Sequence, residues 1–337
     1  MVPLDPSISP HSRERLLELD RLLLKSVADL HSPPTRAERL VAVGRLLGLS
    51  LLLASATVLY WQLPAGIGGL LVLLLAGVAY ALLLIATHEM VHGTLLGWRS
   101  LEFGLGCLLS WPMAWPFATY GRLHLLHHRW NGLDGRDPER TQPLPQDSLS
   151  FRPLRAGLNR HPFSARCLLL GGVGLIVDTA CKGWRLRRVD TRLDAALRLD
   201  GCGVILLHSC LLAFAILQGV LVRYLLFWII LERVIGAIIQ YRGLVEHHGL
   251  WQEAAERSEA APWPQRLRQL ATTRDVWSGP LLNALLGGLP HHSTHHAFPA
   301  LSSARLPQAT ERLHAVLRSQ GWPLPSRIQS YGAALQR

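Results

Sequence analysis

The sequence predicts an all-α integral membrane protein. Four transmembrane helices form two hairpins, and a histidine-rich helical cap lies on the cytoplasmic side. Three observations lead there. Apolar residues make up 49% of the 337 and gather in long uncharged runs rather than at amphipathic spacing. Of the 34 Lys and Arg, 31 fall in residues 1–40, 88–200 and 242–337, outside those runs. Most of the 16 histidines fall in four clusters that follow the runs or lie between them.

Taken in chain order, residues 1–40 are polar and charged, so no cleavable signal peptide is expected. Within them Ser12 to Leu30 carries Leu16, Leu19, Leu23 and Leu30 among charges. It reads as an amphipathic cytoplasmic helix lying on the membrane and ended by Pro33 and Pro34, with an ordinary packed cytosolic helix as the alternative. Residues 41–87 hold the first hairpin. Val41 to Trp61 is one span, with Arg45 placed to snorkel, and Gly66 to Thr87 is the next, joined by the short link 62–65. Residues 88–200 form a cytoplasmic region. Its apolar stretches Phe103–Ala118, with Pro112 and Pro116, and Cys167–Cys181, with Asp178, are short for a span and suit membrane-dipping segments. Residues 201–241 hold the second hairpin, Gly201–Val222 and Tyr224–Tyr241, turning near Arg223. Residues 242–337 return to the cytoplasm, which the positive-inside rule assigns to the basic segments and hence to both termini.

The net charge of +11 comes from basic residues scattered through loops, with no Lys/Arg tract. It is read as positive-inside retention and attraction to anionic lipid heads, and nucleic acid is excluded as a partner. Five cysteines without paired close spacing exclude a disulfide framework. Trp61, Trp98, Trp111 and Trp115 read as interfacial belt residues.

The histidines carry the chemistry. His88 and His92 stand four residues apart, directly after the second span. His124, His127 and His128 form His-x-x-His-His. His247 and His248 follow the fourth span, and His292, His295 and His296 repeat His-x-x-His-His, with His291 just before. On a helix, residues three and four apart share a face, so each cluster can aim two or three imidazoles at one point. Imidazoles packed this densely repel when protonated, which a metal removes. A tetrahedral zinc takes about four protein ligands, and these clusters offer more than twice that, enough for two ions with open positions. Ligand type leaves the metal open among Fe, Cu, Zn and Ni.

The order of the clusters resembles the three histidine boxes of the membrane fatty-acid desaturase superfamily. That superfamily also contains acyl hydroxylases, carotenoid ketolases and alkene-forming decarboxylases. The resemblance runs roughly from Thr87 to Trp322. It includes His88-Glu89-Met90-Val91-His92-Gly93, His127-His128 followed by Asp137-Pro138-Glu139, and His295-His296-Ala297-Phe298-Pro299. It implies a di-iron centre held by His88, His92, His124, His127, His128, His292, His295 and His296. One further ligand is implied at His247 or His248, of which His247 is preferred because Glu246-His247 resembles the Glu-His pair of bacterial members. Two positions depart from the pattern, where Gly243 and Pro290 replace asparagines. The implied reaction uses O2 and external electrons to abstract hydrogen from a long-chain acyl lipid. Since no dinucleotide fingerprint, haem-attachment motif or Cys₄ cluster is present, a separate ferredoxin or cytochrome-type donor with its reductase is expected.

Other readings exist for several of these residues. His88-Glu89-Met90-Val91-His92 is also a literal His-Glu-x-x-His, the signature of a zinc metalloprotease with Glu89 as general base. That reading leaves the other clustered histidines idle, whereas the di-iron reading makes Glu89 a partner that orients an imidazole. A non-catalytic metal carrier would be expected to place its ligands at mid-bilayer rather than at span ends. Asp137 reads either as an orienting carboxylate or as a turn residue before Pro138. His208, inside a span, reads as a neutral imidazole bonded to a neighbouring helix, and Glu232 and Arg233 as paired inward with neighbouring polar groups, with lining of a substrate entry as the alternative. His11, His31, His161 and His314 receive no role.

Overall fold

The structure is a computed structural model that describes residues 10–133, 136–140, 171–250 and 263–333. His161, Cys167 and Glu256 lie outside the described residues, as does the start of the Cys167–Cys181 stretch. The described chain is mostly helical and divides into two units. A span unit comprises Arg36–Leu125 and Ser148–Arg242, and a terminal unit comprises Met1–Thr35, Leu126–Asp147 and Gly243–Arg337.

In the span unit, α2 (Arg36–Gln62) and α3 (Ile67–His92) pack together as the expected first hairpin. At ~1.5 Å per residue each is about 40 Å long, more than a hydrocarbon core of ~30 Å requires. Arg223 closes this hairpin end, because its guanidinium donates to the carbonyls of Tyr60 and Leu63 that α2 leaves unsatisfied at its C-terminus. Arg45 departs from expectation. It turns inward to an ion pair with Glu89 instead of reaching out along the span.

Two short helices follow, α4 (Arg99–Ser110) and α5 (Phe117–Trp130). Pro112 and Pro116 force the break between them, where a 3₁₀ turn at Trp111–Met113 leads into Ala114 with φ 54°. At 12 residues, about 18 Å, α4 is too short to cross a bilayer. Asp200 then holds the start of α5, accepting from the backbone N–H of Ala118 (3.2 Å) and Thr119 (2.7 Å) and from the Trp111 indole (3.0 Å).

The second helix pair begins earlier than the hydropathy suggests. α7 runs Arg192–Leu217 and α8 runs Leu221–His247, with the turn at Gly219 (φ 66°) rather than near Arg223. Among the described residues three helices are long and apolar enough to cross a membrane, namely α2, α3 and α7. The fourth expected span lies on α8, whose apolar run is interrupted by Glu232 and Arg233. Glu232 is buried and accepts from the N–H groups of Gly172 (2.9 Å) and Val173 (3.1 Å), capping α6 (Gly171–Leu186), as expected of an inward group. Arg233, by contrast, is partly exposed and ion-paired with Glu232 itself. The α6–α8 crossing is close enough that a Cβ on Gly236 would lie 1.9 Å from the Gly172 nitrogen. In α3, 61% of the apolar window is buried, against 11% in α2 and α7. α3 is therefore the inner helix, and the apolar faces of α2 and α7 turn outward, which suits lipid rather than water.

In the terminal unit, α1 (Pro10–Ser26) does not keep its leucines for a membrane surface. Leu16, Leu19, Leu23, Val27 and Leu30 join a core with Leu306, Leu313 and Leu317 around α12 (Leu306–Ser319). Arg305 fastens the end of this segment by donating to the carbonyls of Leu30 (2.8 Å) and Ser32 (2.7 Å). The same unit holds α9 (Gln265–Thr272), α10 (Gly279–Leu285) and α11 (His292–Ala297). It also contains a two-stranded parallel sheet of β1 (Arg274–Val276) and β2 (Ser326–Ile328), which the all-α expectation missed. Such short strands carry no alternating pattern strong enough to read.

Candidate metal centre

All nine predicted histidines fall into two groups, one in each unit. In the span unit, His88 and His92 sit one turn apart at the end of α3, which Gly93 closes in the left-handed conformation (φ 68°). His124 on α5 faces them. The ring centroids are 5.2 Å apart for His88–His92, 4.4 Å for His88–His124 and 5.1 Å for His92–His124. The Nε2 atoms of His92 and His124 approach to 3.1 Å. Two imidazole nitrogens at that distance either share one proton or face a common cation.

The terminal unit gathers His127, His128, His247, His292, His295 and His296. One ring nitrogen from each of His127, His247 and His296 lies within 4.8 Å of the others, and Glu246, His247 and His292 form a second such set. His247 and His292 meet Nε2 to Nε2 at 2.8 Å. The His128 ring stacks on His296 at 4.2 Å and stands 5.0 Å from His295. Of the adjacent pair, His247 is the member that faces this group. For His248 the structure shows a backbone carbonyl accepting from Arg274, which also binds the Val245 carbonyl and so closes the end of α8.

Hydrogen bonds to neighbouring groups set the tautomers of two rings. Asp137 can only accept, so the 2.8 Å contact to His127 Nδ1 makes that nitrogen the donor and leaves the lone pair on Nε2. Asp137 also accepts from the Glu139 N–H at 2.9 Å, so its orienting and turn-making roles coexist. Gln269 does the same for His296. Its Nε2 donates to the His128 carbonyl (2.6 Å), and its Oε1 accepts from Asn131 (2.9 Å) and from His296 Nδ1 (2.9 Å). His296 Nε2 therefore carries a buried lone pair, with no hydrogen-bond partner among the described residues. Burial, followed by the neighbouring His128, His292, His127 and His247, holds its pKa well below the ordinary histidine range, so the ring is neutral. A buried lone pair with no donor is costly. A cation satisfies it, and a set of neutral, oriented imidazoles fits a metal of intermediate softness.

Glu246 accepts from the Tyr331 hydroxyl at 3.0 Å and lies 3.5 Å from His292 Nδ1. Gln269, Asn131 and Tyr331 were missed from sequence, since a lone buried amide or phenol leaves no spacing signal. Glu89 was expected to orient an imidazole. Its ion pair is with Arg45, which draws charge from the carboxylate that a zinc protease would need as a base. His208 bonds the Trp111 carbonyl at 3.0 Å. Cys107, Cys181, Cys202 and Cys210 are free thiols.

The profile of the fatty acid desaturase family matches residues 61–327, most of the chain's length and every histidine of both groups. No curated protein matches the chain.

Proposed function

The chain belongs to the fatty acid desaturase family, and on that premise we propose that it is a membrane-bound non-haem di-iron oxidoreductase that introduces a double bond into a long acyl chain. The reading is supported chiefly by the oriented, buried imidazole of His296, whose Nε2 has no hydrogen-bond partner among the described residues. His88, His92 and His124 would hold metal from one group, and His127, His128, His247, His292, His295 and His296 from the other. When bound, iron supplies the activation of O2 needed to abstract hydrogen from an unactivated carbon.

The protein's own contribution is positional. Asp137 and Gln269 hold two rings in the ligating tautomer, and Asp200 anchors the helix that carries the second box. Arg45 neutralises Glu89 behind the first box. The outward apolar faces of α2 and α7 suit a substrate that arrives from the bilayer, with the histidines on its cytoplasmic side. Electrons come from a separate ferredoxin or cytochrome-type donor with its reductase. Gly243 and Pro290, at positions where some members of the family carry asparagine, are places at which the outcome can shift towards hydroxylation, ketolation or decarboxylation.

Lipid analysis of cells expressing the chain tests this reading. New unsaturated acyl chains are expected with the wild type, and none with His127→Ala or His295→Ala. Hydroxylated, keto or terminal-alkene products would select a sibling reaction. Unchanged lipids from iron-loaded protein supplied with O2 and a competent donor would refute it.

A further inference from the structure

The small parallel sheet of the terminal unit ties together the two segments that carry His247 and His292. From β1, Arg274 donates to the carbonyls of Val245 (2.9 Å) and His248 (3.2 Å) at the end of α8, and its Nε donates to the Ser326 hydroxyl of β2 (3.2 Å). Asp275 accepts from the Ser293 N–H at 2.8 Å, and the Val276 N–H donates to the Pro290 carbonyl at 2.9 Å. The same strand therefore brackets the start of α11. β2 is fixed in turn, because Ile328 is buried and its carbonyl accepts from the Trp277 N–H at 2.8 Å. Just beyond β2, Tyr331 donates its hydroxyl to Glu246 Oε1 at 3.0 Å.

Glu246 occupies a costly place. It is wholly buried, and it stands in the last turn of α8, where the carbonyls of a helix end repel a carboxylate. Such a charge needs donors around it. While Oε1 takes the phenol, Oε2 lies 3.5 Å from His292 Nδ1. A carboxylate only accepts, so the ring nitrogen facing it carries the proton and the lone pair of His292 lies on Nε2. That nitrogen is the one 2.8 Å from His247 Nε2. Glu246, His247 and His292 each bring a ligand atom within 4.8 Å of the others. The geometry points to Tyr331 as a positioning residue of the metal centre, an assignment that rests on the metal reading above. Its phenol holds the Glu246 carboxylate with Oε2 towards His292, and the carboxylate holds that ring with Nε2 towards His247. The hydroxyl itself is no ligand. The sheet delivers it, which gives β1 and β2 a use at the metal centre besides closing the fold. A phenol that only fastened the chain end would leave the geometry around a bound metal unchanged.

Cobalt(II) binding to the full-length protein in detergent tests this, read by competition against a chelator and by the visible absorption of the bound ion. Tyr331→Phe should weaken cobalt about three- to tenfold and shift its absorption. Glu246→Leu should weaken it about 10- to 100-fold. Adding Tyr331→Phe to Glu246→Leu should then change the affinity by less than about twofold, since the phenol acts through the carboxylate. If Glu246→Leu does not fold, Glu246→Gln takes its place, and Tyr331→Phe should cost less beside the glutamine than beside Glu246. Wild-type affinity and absorption in Tyr331→Phe would overturn the inference and leave the metal reading standing. An equal loss from Tyr331→Phe with and without Glu246 would do the same. A wild type that takes up neither cobalt nor iron would overturn both.

Discussion

Replacing Gln269 with leucine removes three hydrogen bonds from one wholly buried side chain. Two of the groups left behind keep other partners. The His128 carbonyl still accepts from Gln265 (3.3 Å), and the Asn131 amide still donates to Thr272 (2.8 Å). The His296 Nδ1–H has no such substitute, so the main penalty falls there. A buried donor left unsatisfied costs about 1–3 kcal/mol, and the weakened bonds at His128 and Asn131 bring the total to roughly 2–4 kcal/mol. Part of this strain is relieved if His296 changes tautomer, which moves its lone pair from Nε2 to Nδ1 and away from the other histidines. The variant should therefore fold less stably and bind metal about 10- to 100-fold more weakly. Thermal unfolding in detergent, with and without a chelator, gives the first quantity, and competition against a chelator of known affinity gives the second. Gln269→Glu, which keeps an acceptor for His296, should retain more metal than the leucine variant. Wild-type stability and metal retention in Gln269→Leu would refute the claim that this amide sets the ring.

Asp137→Ala should also lower metal affinity about 10- to 100-fold, because His127 loses its orienting carboxylate, and metal analysis of the purified variant checks it. Glu89→Gln should leave metal bound and reduce turnover only partly. Proteolysis by the wild type that disappears in this variant would revive the zinc-protease reading. Single-cysteine labelling in a background without the native five should reach a reporter at Arg140 from the cytoplasm and one at Leu63 only from outside. Labelling of both from the same side would break the assignment of the first hairpin.

The histidine clusters were legible in the sequence because one residue type recurring at a helical spacing marks side chains that share a face. Both constraints survive in one dimension at His88/His92 and at the two His-x-x-His-His runs. The choice of His247 over His248 came from a resemblance, and the structure places His247 2.8 Å from His292. The partners that orient the rings were less visible. Asp137 could be suspected because it lies near its box, whereas Gln269 reaches His296 and His128 from a separate helix and belongs to no repeat. Hydropathy located the apolar helices but misplaced their ends, since Gly219 turns the chain where the apolar run continues. The α1 leucines show the limit of amphipathic reading, because a membrane and a protein core ask for the same stripe. The inward turn of Arg45 to Glu89 depends on contact between two helices, which no single-helix pattern contains.

The central proposal is that the clustered histidines hold iron, about two ions per chain. Metal analysis of the purified full-length protein, alongside its turnover on an acyl lipid with O2 and a reducing donor, tests it most directly. The account predicts about two irons per chain in the active form, with iron and activity falling together in His127→Ala and His295→Ala. A single tightly bound zinc in fully active protein would contradict it.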